Sequence, residues 1–175
     1  GEIWPVAHPG QDRSVYGQAT LHPSGPVVAR SHASFRLTYI CGRFGIDGGG
    51  GIRIAFRFTA DWGELQFHDP AGENYVTAAT SRGLPITLRY AEDVNPRPWY
   101  LSLDANLPLG HLAEGDEITI LFGDRSGGSP GLKMQSCCES RFQFLVLVDP
   151  IATGHFIPLE RSPSIRIVSG AAEHW

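Results

Sequence analysis

Residues 52–58 alternate strictly, because large apolar side chains occupy every even position and arginine or alanine occupies the odd positions. Neighbouring side chains of a β-strand point to opposite faces, so this alternation predicts a strand with one face on a core and one in solvent. Residues 34–41 repeat the pattern with Phe35, Leu37 and Tyr39. The glycine-rich residues between the two segments can adopt positive φ freely. We therefore predict that the two strands pair as a hairpin across this glycine-rich turn.

Short alternating or wholly apolar segments recur to the end of the chain, separated by turns rich in glycine and proline. No segment has the apolar period of a three-turn amphipathic helix, whereas many short strands between turn signals are typical of sandwiches and barrels. Residues 141–148 are apolar on both faces toward the end of the segment, which predicts one central strand. The sequence thus predicts an all-β fold: a single β-sandwich of about nine or ten strands, immunoglobulin-like with Greek-key connections and long loops.

The length of 175 residues suits one domain with a sizeable core. We expect residues 1–13 to form an extended arm, residues 14–168 to form the sandwich, and residues 169–175 to be a linker or a cut end. The net charge of −4 argues against nucleic acid or an anionic membrane as the main partner, since both attract basic surfaces. The longest apolar run, residues 144–148, is too short to span a bilayer. The first residues lack the features of a signal peptide, which leaves open that one has already been removed.

The three cysteines are Cys41, Cys137 and Cys138. An odd number with two adjacent does not resemble a disulfide framework, so we expect a reducing compartment and a cytoplasmic location. The adjacent pair leaves a redox role open, but no neighbouring basic residue in the sequence favours reactive thiolates. Because free cysteines are commonly buried, we expect the pair to pack inertly.

A polar and aromatic loop follows the second predicted strand and provides the first candidate site. Trp62, His68 and Asp69 lie in this loop, Arg57 precedes it, and Trp99 lies beside a later loop. Exposed tryptophans stack on sugar rings and arginine binds anions, so these residues could line a groove for a carbohydrate or a small anion. The alternative, which we favour, is that each tryptophan closes one end of the core, because buried aromatic side chains dominate core energetics.

Acidic residues in glycine-containing loops form a second candidate set. Asp47, Asp61 and Asp124 lie in such loops, and Arg125 follows the last of them. Loop carboxylates bind calcium and glycine-rich loops bind anions, but aspartate is also an ordinary turn residue. The seven histidines show no zinc-binding spacing. We therefore predict no metal, no cofactor and no catalytic residue in this chain.

Four arginines fall at outward positions of the predicted strands: Arg36, Arg53, Arg57 and Arg89. Together they could form a cationic stripe for an anionic ligand. Surface arginines more commonly form solvated pairs with carboxylates, and such pairs add little stability. We therefore expect a solvated face of this second kind.

Several short motifs follow one another in a fixed order along the chain. They are residues 38–39, 42–47 and 52–58, Asp61-Trp62-Gly63, residues 66–67 and 69–70, Asn74-Tyr75-Val76-Thr77, Arg97-Pro98-Trp99, residues 115–116 and 123–131, and Val148-Asp149-Pro150. Over most of the chain this ordered set resembles the N-terminal region of large uncharacterised bacterial proteins. In those proteins the downstream domain is similar to the PHP-type metal-dependent phosphoesterases.

The resemblance implies a non-catalytic accessory module that docks on the hydrolase domain or shapes access to it. The partner would be the downstream domain of the same chain or a second copy of the module. An exposed apolar patch near residues 60–70 and 123–131 would mark the docking surface. A carbohydrate- or anion-binding module is one alternative, and a stand-alone metal-dependent hydrolase that uses Asp61, His68 and Asp69 is another.

Overall fold

The computed structural model describes residues 13–57 and 63–170. In these residues a 3-10 turn, Arg13–Tyr16, precedes sixteen strands, and no helix is long and apolar enough to cross a membrane. The strands are β1 (Gly17–His22), β2 (Val27–Val28), β3 (His32–Ala33), β4 (Phe35–Cys41), β5 (Ile46–Asp47), β6 (Gly51–Phe56), β7 (Val76–Thr80), β8 (Thr87–Glu92), β9 (Leu101–Asn106), β10 (His111–Leu112), β11 (Glu117–Phe122), β12 (Leu132–Lys133), β13 (Glu139–Gln143), β14 (Leu145–Asp149), β15 (Ile157–Pro158) and β16 (Ser164–Val168). Six are only two residues long, so ten strands build the body of the fold.

Two antiparallel sheets pack face to face around the core. The first has five strands in the order β15-β14-β6-β9-β8, and the second has four in the order β1-β4-β11-β7. A separate three-stranded sheet, β13-β16-β2, is connected to the first by the chain, because β13 leads directly into β14. Two short pairs, β10-β5 and β12-β3, join the loops. The predicted all-β sandwich is confirmed, while its immunoglobulin-like, Greek-key connectivity stays a prediction.

The predicted hairpin between β4 and β6 is wrong. β4 pairs with β1 and β11, whereas β6 pairs with β14 and β9, so the two strands lie in opposite sheets. Their apolar faces meet across the core, where the rings of Phe35 and Phe56 both pack against Phe144. The glycine-rich segment crosses between the sheets instead of turning within one. It needs glycine for close approach, because a Cβ at Gly50 would lie 2.3 Å from the carbonyl oxygen of Asp149.

The strand predicted over residues 141–148 is divided at Phe144. β13 belongs to the three-stranded sheet, and β14 pairs with β6 in the five-stranded sheet. The buried ring of Phe144 packs edge-on against four others: Phe35, Phe56, Phe122 and Phe142. Such aromatic pairs add about 0.5–1.5 kcal/mol each beyond their burial, so this cluster holds the sheets together where the chain changes sheet.

β14 is nevertheless buried on both faces, as its apolar sequence predicts. Val146 faces the main core. Leu147 faces the opposite way and joins Trp99 and Ala55 in a second apolar cluster on the outside of the five-stranded sheet. Phe156 packs at the rim of this cluster, which explains why an outward-facing position is buried.

The loops gather at two ends of the sandwich. Phe35 and Phe122 are paired at one end of the four-stranded sheet, and Phe56 and Leu101 at the matching end of the five-stranded sheet. This upper end has the connecting segments 23–34, 63–75, 93–100 and 123–131. The lower end has loops 42–50, 81–86, 107–116 and 150–156. The two sets of loops are therefore separated by the length of the strands.

Some predictions fall outside the described residues. The arm predicted over residues 1–13 does so except for Arg13, and the linker predicted over residues 169–175 does so beyond residue 170. Asp61 and Trp62 of the candidate loop also lie outside the described ranges.

The cysteines differ from one another. Cys41 is buried in the core, where burial raises its thiol pKa to about 12. Cys137 and Cys138 are exposed, so the expected inert packing is wrong for this pair. The reason is that β12 ends at Lys133, and the chain then passes through a bend before β13 begins at Glu139.

Candidate functional site

Two loops at the upper end, residues 63–75 and 123–131, meet to form one surface, which we call the joined loops. The amide of Asn74 donates to the carbonyl oxygen of Gly131 at 3.1 Å. The loops also touch where Pro70 lies against Gly127, and a Cβ at that glycine would come within 2.5 Å of the proline Cβ. Both loops contain candidate residues from the sequence, and the fold brings them into contact.

Asn74 is the joint of this surface. It is buried and has a φ of 63°, in the left-handed region that asparagine adopts more readily than most residues. Its side-chain oxygen accepts a hydrogen bond of 2.8 Å from the amide of Lys133, and its carbonyl oxygen accepts one of 3.0 Å from the amide of Gln66. Because a buried polar group that loses its partner costs about 1–3 kcal/mol, this joint resists opening.

Gln66 shapes the part of the loop that contains His68 and Asp69. Its side-chain oxygen accepts hydrogen bonds from the amides of both residues, at 2.9 and 2.8 Å. Its side-chain nitrogen donates to the carbonyl oxygen of Asp69 at 2.9 Å. The carboxylate of Asp69 accepts from the amide of Ala71 at 3.0 Å, which is the turn-forming role that aspartate has in loops. Both candidates are thus fixed at the backbone, with exposed side chains.

Asp124 has a carboxylate that serves its own loop. It accepts hydrogen bonds from the Thr77 hydroxyl at 2.7 Å and from the Ser126 amide at 3.0 Å. These bonds lower the pKa of Asp124 below its usual value, with the Thr77 hydroxyl as the largest cause. Asp124 is therefore ionised near neutral pH, and both of its oxygens already have a donor.

Arg125 reaches from the second loop to the start of β4. Its Nε donates to Ser34 Oγ at 2.8 Å, and its Nη2 donates to the carbonyl oxygen of His32 at 3.3 Å. The Ser34 hydroxyl in turn donates to the carbonyl oxygen of Gly123 at 2.6 Å. These acceptors are uncharged, so they position the guanidinium group without neutralising it.

A surface depression of about 390 Å³ opens beside Arg125, between the upper ends of β1, β4 and β11. Its polar walls include His22, Ser34, Arg36, Asp124 and Arg125. Over the described ranges 13–57 and 63–170, neither arginine has an ion-pair partner. The depression, which we call the Arg36–Arg125 depression, contains two guanidinium groups and one carboxylate, that of Asp124, which already accepts hydrogen bonds from Thr77 and Ser126. Its net charge is therefore positive. Guanidinium groups bind carboxylates and phosphates in a bidentate geometry, so the depression suits an anionic group.

Arg57 and Trp99 lie elsewhere, on the outside of the five-stranded sheet. Trp99 is only 5% exposed and packs with Ala55 and Leu147, while the guanidinium group of Arg57 lies 5.5 Å from the centre of its ring. The ring is buried rather than presented to a sugar, as the packing interpretation predicts. It closes the outer cluster rather than an end of the main core.

Arg53, on the same outer face, departs from the expected solvated pairing. It makes a bidentate pair with Asp104, at 2.7 and 3.0 Å, and the two side chains are 12% and 3% exposed. Asn95 accepts a further hydrogen bond of 2.9 Å from Arg53, and the Phe156 ring covers its guanidinium group at 4.2 Å. Arg89, at 66% exposed, lies 3.7 Å from the same carboxylate. The solvated interpretation therefore fits Arg89 but is wrong for Arg53.

The aspartates proposed for calcium are not brought together. Asp47 is exposed at the lower end, whereas Asp124 lies at the upper end, so one ion cannot bind both. Across the part of the chain that the structure describes, no group of three or more histidine, cysteine, aspartate or glutamate side chains could hold a metal ion. Asp61, the third member of the set, lies outside that part.

The apolar patch expected at the joined loops is not found on their described residues. The exposed large apolar side chains among the described residues are Val28, Phe44, Val94, Leu109 and Ile151. None of them belongs to residues 63–75 or 123–131, and three lie in the loops of the lower end. The reason is that the joined loops are held by polar side chains bonded to backbone groups, as Gln66 and Asn74 illustrate.

Comparisons with known proteins give similarities of overall shape only. No protein-family model and no curated protein matches the chain. Among solved structures, AvmM, which catalyses macrocyclization in alchivemycin A biosynthesis, is 13% identical, with a TM-score of 0.48 over 92% of this chain and 93% of its own. A cohesin module from a Clostridium perfringens family 33 glycoside hydrolase is 12% identical, with a TM-score of 0.44 over 89% and 98%. A non-cellulosomal cohesin from Archaeoglobus fulgidus is 10% identical, with a TM-score of 0.40 over 87% and 92%.

Several residues of the upper surface have no signal in the sequence that marks them. His22 is placed next to Arg36 by the β1–β4 register, and the alternation of either strand alone does not specify that register. Gln66 and Asn74 are polar residues in a loop, and only their partners show that they hold it together. Arg36 is identifiable as outward-facing from the alternation, but its neighbours are not.

Proposed function

We propose that this chain is a non-catalytic docking module and that the joined loops, with the Arg36–Arg125 depression, form its recognition surface. The observation that carries the proposal is the depression itself. There, two guanidinium groups stand without an ion-pair partner among the described residues, beside a loop surface tied together by Asn74.

The rigidity of this surface supports a binding role. A surface whose loops are already ordered loses less conformational entropy when a partner binds, so more of the contact energy appears as affinity. Arg125 is held in place by Ser34 and His32, and this preorganisation leaves its positive charge available. A fixed guanidinium group binds a carboxylate more selectively than a mobile ammonium group does.

The proposed occupant is an aspartate or glutamate side chain on a folded partner. Its carboxylate would pair with the two guanidinium groups and offset their positive charge at the rim of a protein interface. On the resemblance described above, the partner would be the downstream domain of the same polypeptide, a metal-dependent hydrolase similar to the PHP type. A second copy of the module is the other partner that the resemblance implies.

The test starts from the gene and ends with a titration. The coding sequence beyond Trp175 is determined, its product is expressed separately, and the product is titrated into the module by calorimetry. The proposal predicts a 1:1 complex with a dissociation constant on the order of 1 μM, at the weak end of the range for interfaces of standard size. A reading frame that ends at Trp175, or a downstream product that does not bind, would contradict the same-chain partner.

A small-anion-binding module is a second candidate because the same two guanidinium groups suit a free phosphate. Titration of the module with inorganic phosphate, followed by NMR of the arginine side chains, separates the two candidates. Saturable shifts of Arg36 and Arg125 with a dissociation constant well below about 1 mM, together with no binding of the downstream product, favour the anion. The carbohydrate alternative has lost Trp99 as a stacking surface, since that ring is buried.

A further inference from the structure

Two adjacent cysteines lie exposed in the bend between β12 and β13. Cys137 and Cys138 are both free thiols at the surface, whereas Cys41, the third cysteine of the chain, is buried in the core. The bend is hydrogen-bonded to segment 23–34 of the upper end, because the amide of Arg30 donates to the carbonyl oxygen of Gln135 at 3.0 Å. The pair is therefore at the upper end, on a segment anchored to the rest of the fold.

Gln135 fixes the shape of this bend. It is almost fully buried, at 1% exposed, although glutamine is a polar residue. Its side-chain nitrogen donates to the carbonyl oxygen of Cys137 at 3.0 Å and to the carboxylate of Glu139 at 3.0 Å. A buried amide bonded to the backbone of a cysteine holds the reduced bend in one conformation, with both thiols on the solvent side.

Adjacent thiols can close only a strained disulfide. Neighbouring Cα atoms are about 3.8 Å apart across a trans peptide, whereas disulfides usually join Cα atoms about 4.4–6.8 Å apart. Strain makes a disulfide easier to reduce, and exposed, strained disulfides are the labile ones. A bond between Cys137 and Cys138 would therefore be reversible under mild conditions, which distinguishes it from a structural cross-link.

We infer that Cys137 and Cys138 form a reversible thiol modification site that closes to a disulfide between adjacent residues. The co-reactant is a low-molecular-weight disulfide, for which oxidised glutathione is the probe. One cysteine thiolate attacks a sulfur of the probe and releases one reduced glutathione, leaving a mixed disulfide. The neighbouring thiolate then attacks the protein sulfur of that mixed disulfide and releases the second glutathione. The two thiols lose two electrons and two protons, and the probe gains both electrons.

The test uses the folded, fully reduced chain. It is incubated with oxidised glutathione, free thiols are alkylated, and the masses of the intact chain and of its peptides are measured. We expect a monomer that lacks alkylation at Cys137 and Cys138, carries no glutathione, and yields a peptide containing a bond between the two sulfurs. Cys41, which is buried, is alkylated only after unfolding and serves as the internal control. A small excess of reduced dithiothreitol should restore both thiols.

Two variants separate ring closure from simple thiol exposure. Cys138→Ser and Cys137→Ser each remove the attacking neighbour, so each should stop at a persistent mixed disulfide with glutathione. The inference is overturned if the natural chain also keeps glutathione, if it forms dimers linked between chains, or if neither exposed thiol reacts.

Discussion

On the outside of the five-stranded sheet Arg53 is buried against Asp104, whereas on the outside of the four-stranded sheet Arg36 is exposed beside an open depression. Both arginines occupy outward positions in strands of the same alternating pattern. The difference comes from what covers each sheet. Trp99 and Phe156 from two loops lie over the first face, whereas among the described residues no aromatic ring lies over the Arg36 guanidinium group.

An outward-facing position in an alternating strand therefore does not by itself tell whether an arginine stabilises the fold or is available to a ligand. Under a cover, an arginine needs a carboxylate and a full set of acceptors, because an unpaired buried charge is costly. Without a cover, the same side chain can remain without a partner and is available to a ligand. We therefore assign the face of the five-stranded sheet under Trp99 and Phe156, the sealed face, to stability. The face that carries Arg36, the open face, is the one for which we propose recognition.

The strongest test of the sealed face removes the charge of Asp104. Asp104→Asn leaves Arg53 buried without its counter-ion, and breaking such a pair costs about 3–5 kcal/mol of unfolding free energy. Urea denaturation measures this loss. The matched control is Asp93→Asn, since Asp93 is 61% exposed and lies 3.9 Å from Arg97; its loss should stay below about 1 kcal/mol. Equal losses in the two variants would remove the distinction between sealed and solvated pairs.

A smaller effect is expected when the aromatic cover is changed but kept apolar. Phe156→Leu preserves much of the burial but removes the ring that lies 4.2 Å from the Arg53 guanidinium group. Cation–π contacts of this kind contribute about 0.5–2 kcal/mol, and the unfolding free energy should fall by about 1 kcal/mol. Phe44→Leu changes an exposed ring at the lower end and should cost less than about 0.5 kcal/mol. A Phe156→Leu variant as stable as the natural chain would contradict the proposed cover.

On the open face, the pH dependence of stability reports on Asp124. Hydrogen bonds from Thr77 and Ser126 lower its pKa in the folded state, so its contribution is fully present above the unfolded value of about 4. The contribution is lost as the pH falls through the lower folded value. The natural chain should therefore lose stability in acid relative to Asp124→Asn, as measured by urea denaturation from pH 6 down to about pH 2. Parallel curves for the two chains would show that the carboxylate is not held as described.

The layered fold was predictable because strand periodicity is local. β6 (Gly51–Phe56) and β4 (Phe35–Cys41) are strands with apolar inner faces, as alternation predicts. Which strand pairs with which was not predictable, because the glycine-rich segment serves a hairpin and a crossover equally well. The choice depends on β1, β11, β9 and β14, which complete the two sheets from distant parts of the chain.

The candidate site was predictable in part. Asp124 and Arg125 could be found because a glycine-rich loop with charged residues is visible in the sequence, and they do line the depression. Asp104 could not be identified as the partner of Arg53, because the pair depends on the β6–β9 register. The burial of Trp99 likewise could not be predicted, because it depends on packing against Leu147, a residue distant in sequence that lies on the outer face of the sheet.

The most direct measurement compares one arginine from each face in the same binding experiment. The separately expressed downstream polypeptide is titrated by calorimetry into the natural chain, Arg36→Ala and Arg89→Ala. Both variants remove one exposed guanidinium group and should change stability by less than about 1 kcal/mol. We expect Arg36→Ala to weaken binding at least about tenfold and Arg89→Ala to leave it within about twofold. Undiminished binding by Arg36→Ala, or an equal loss in both variants, would contradict the assignment of recognition to the open face.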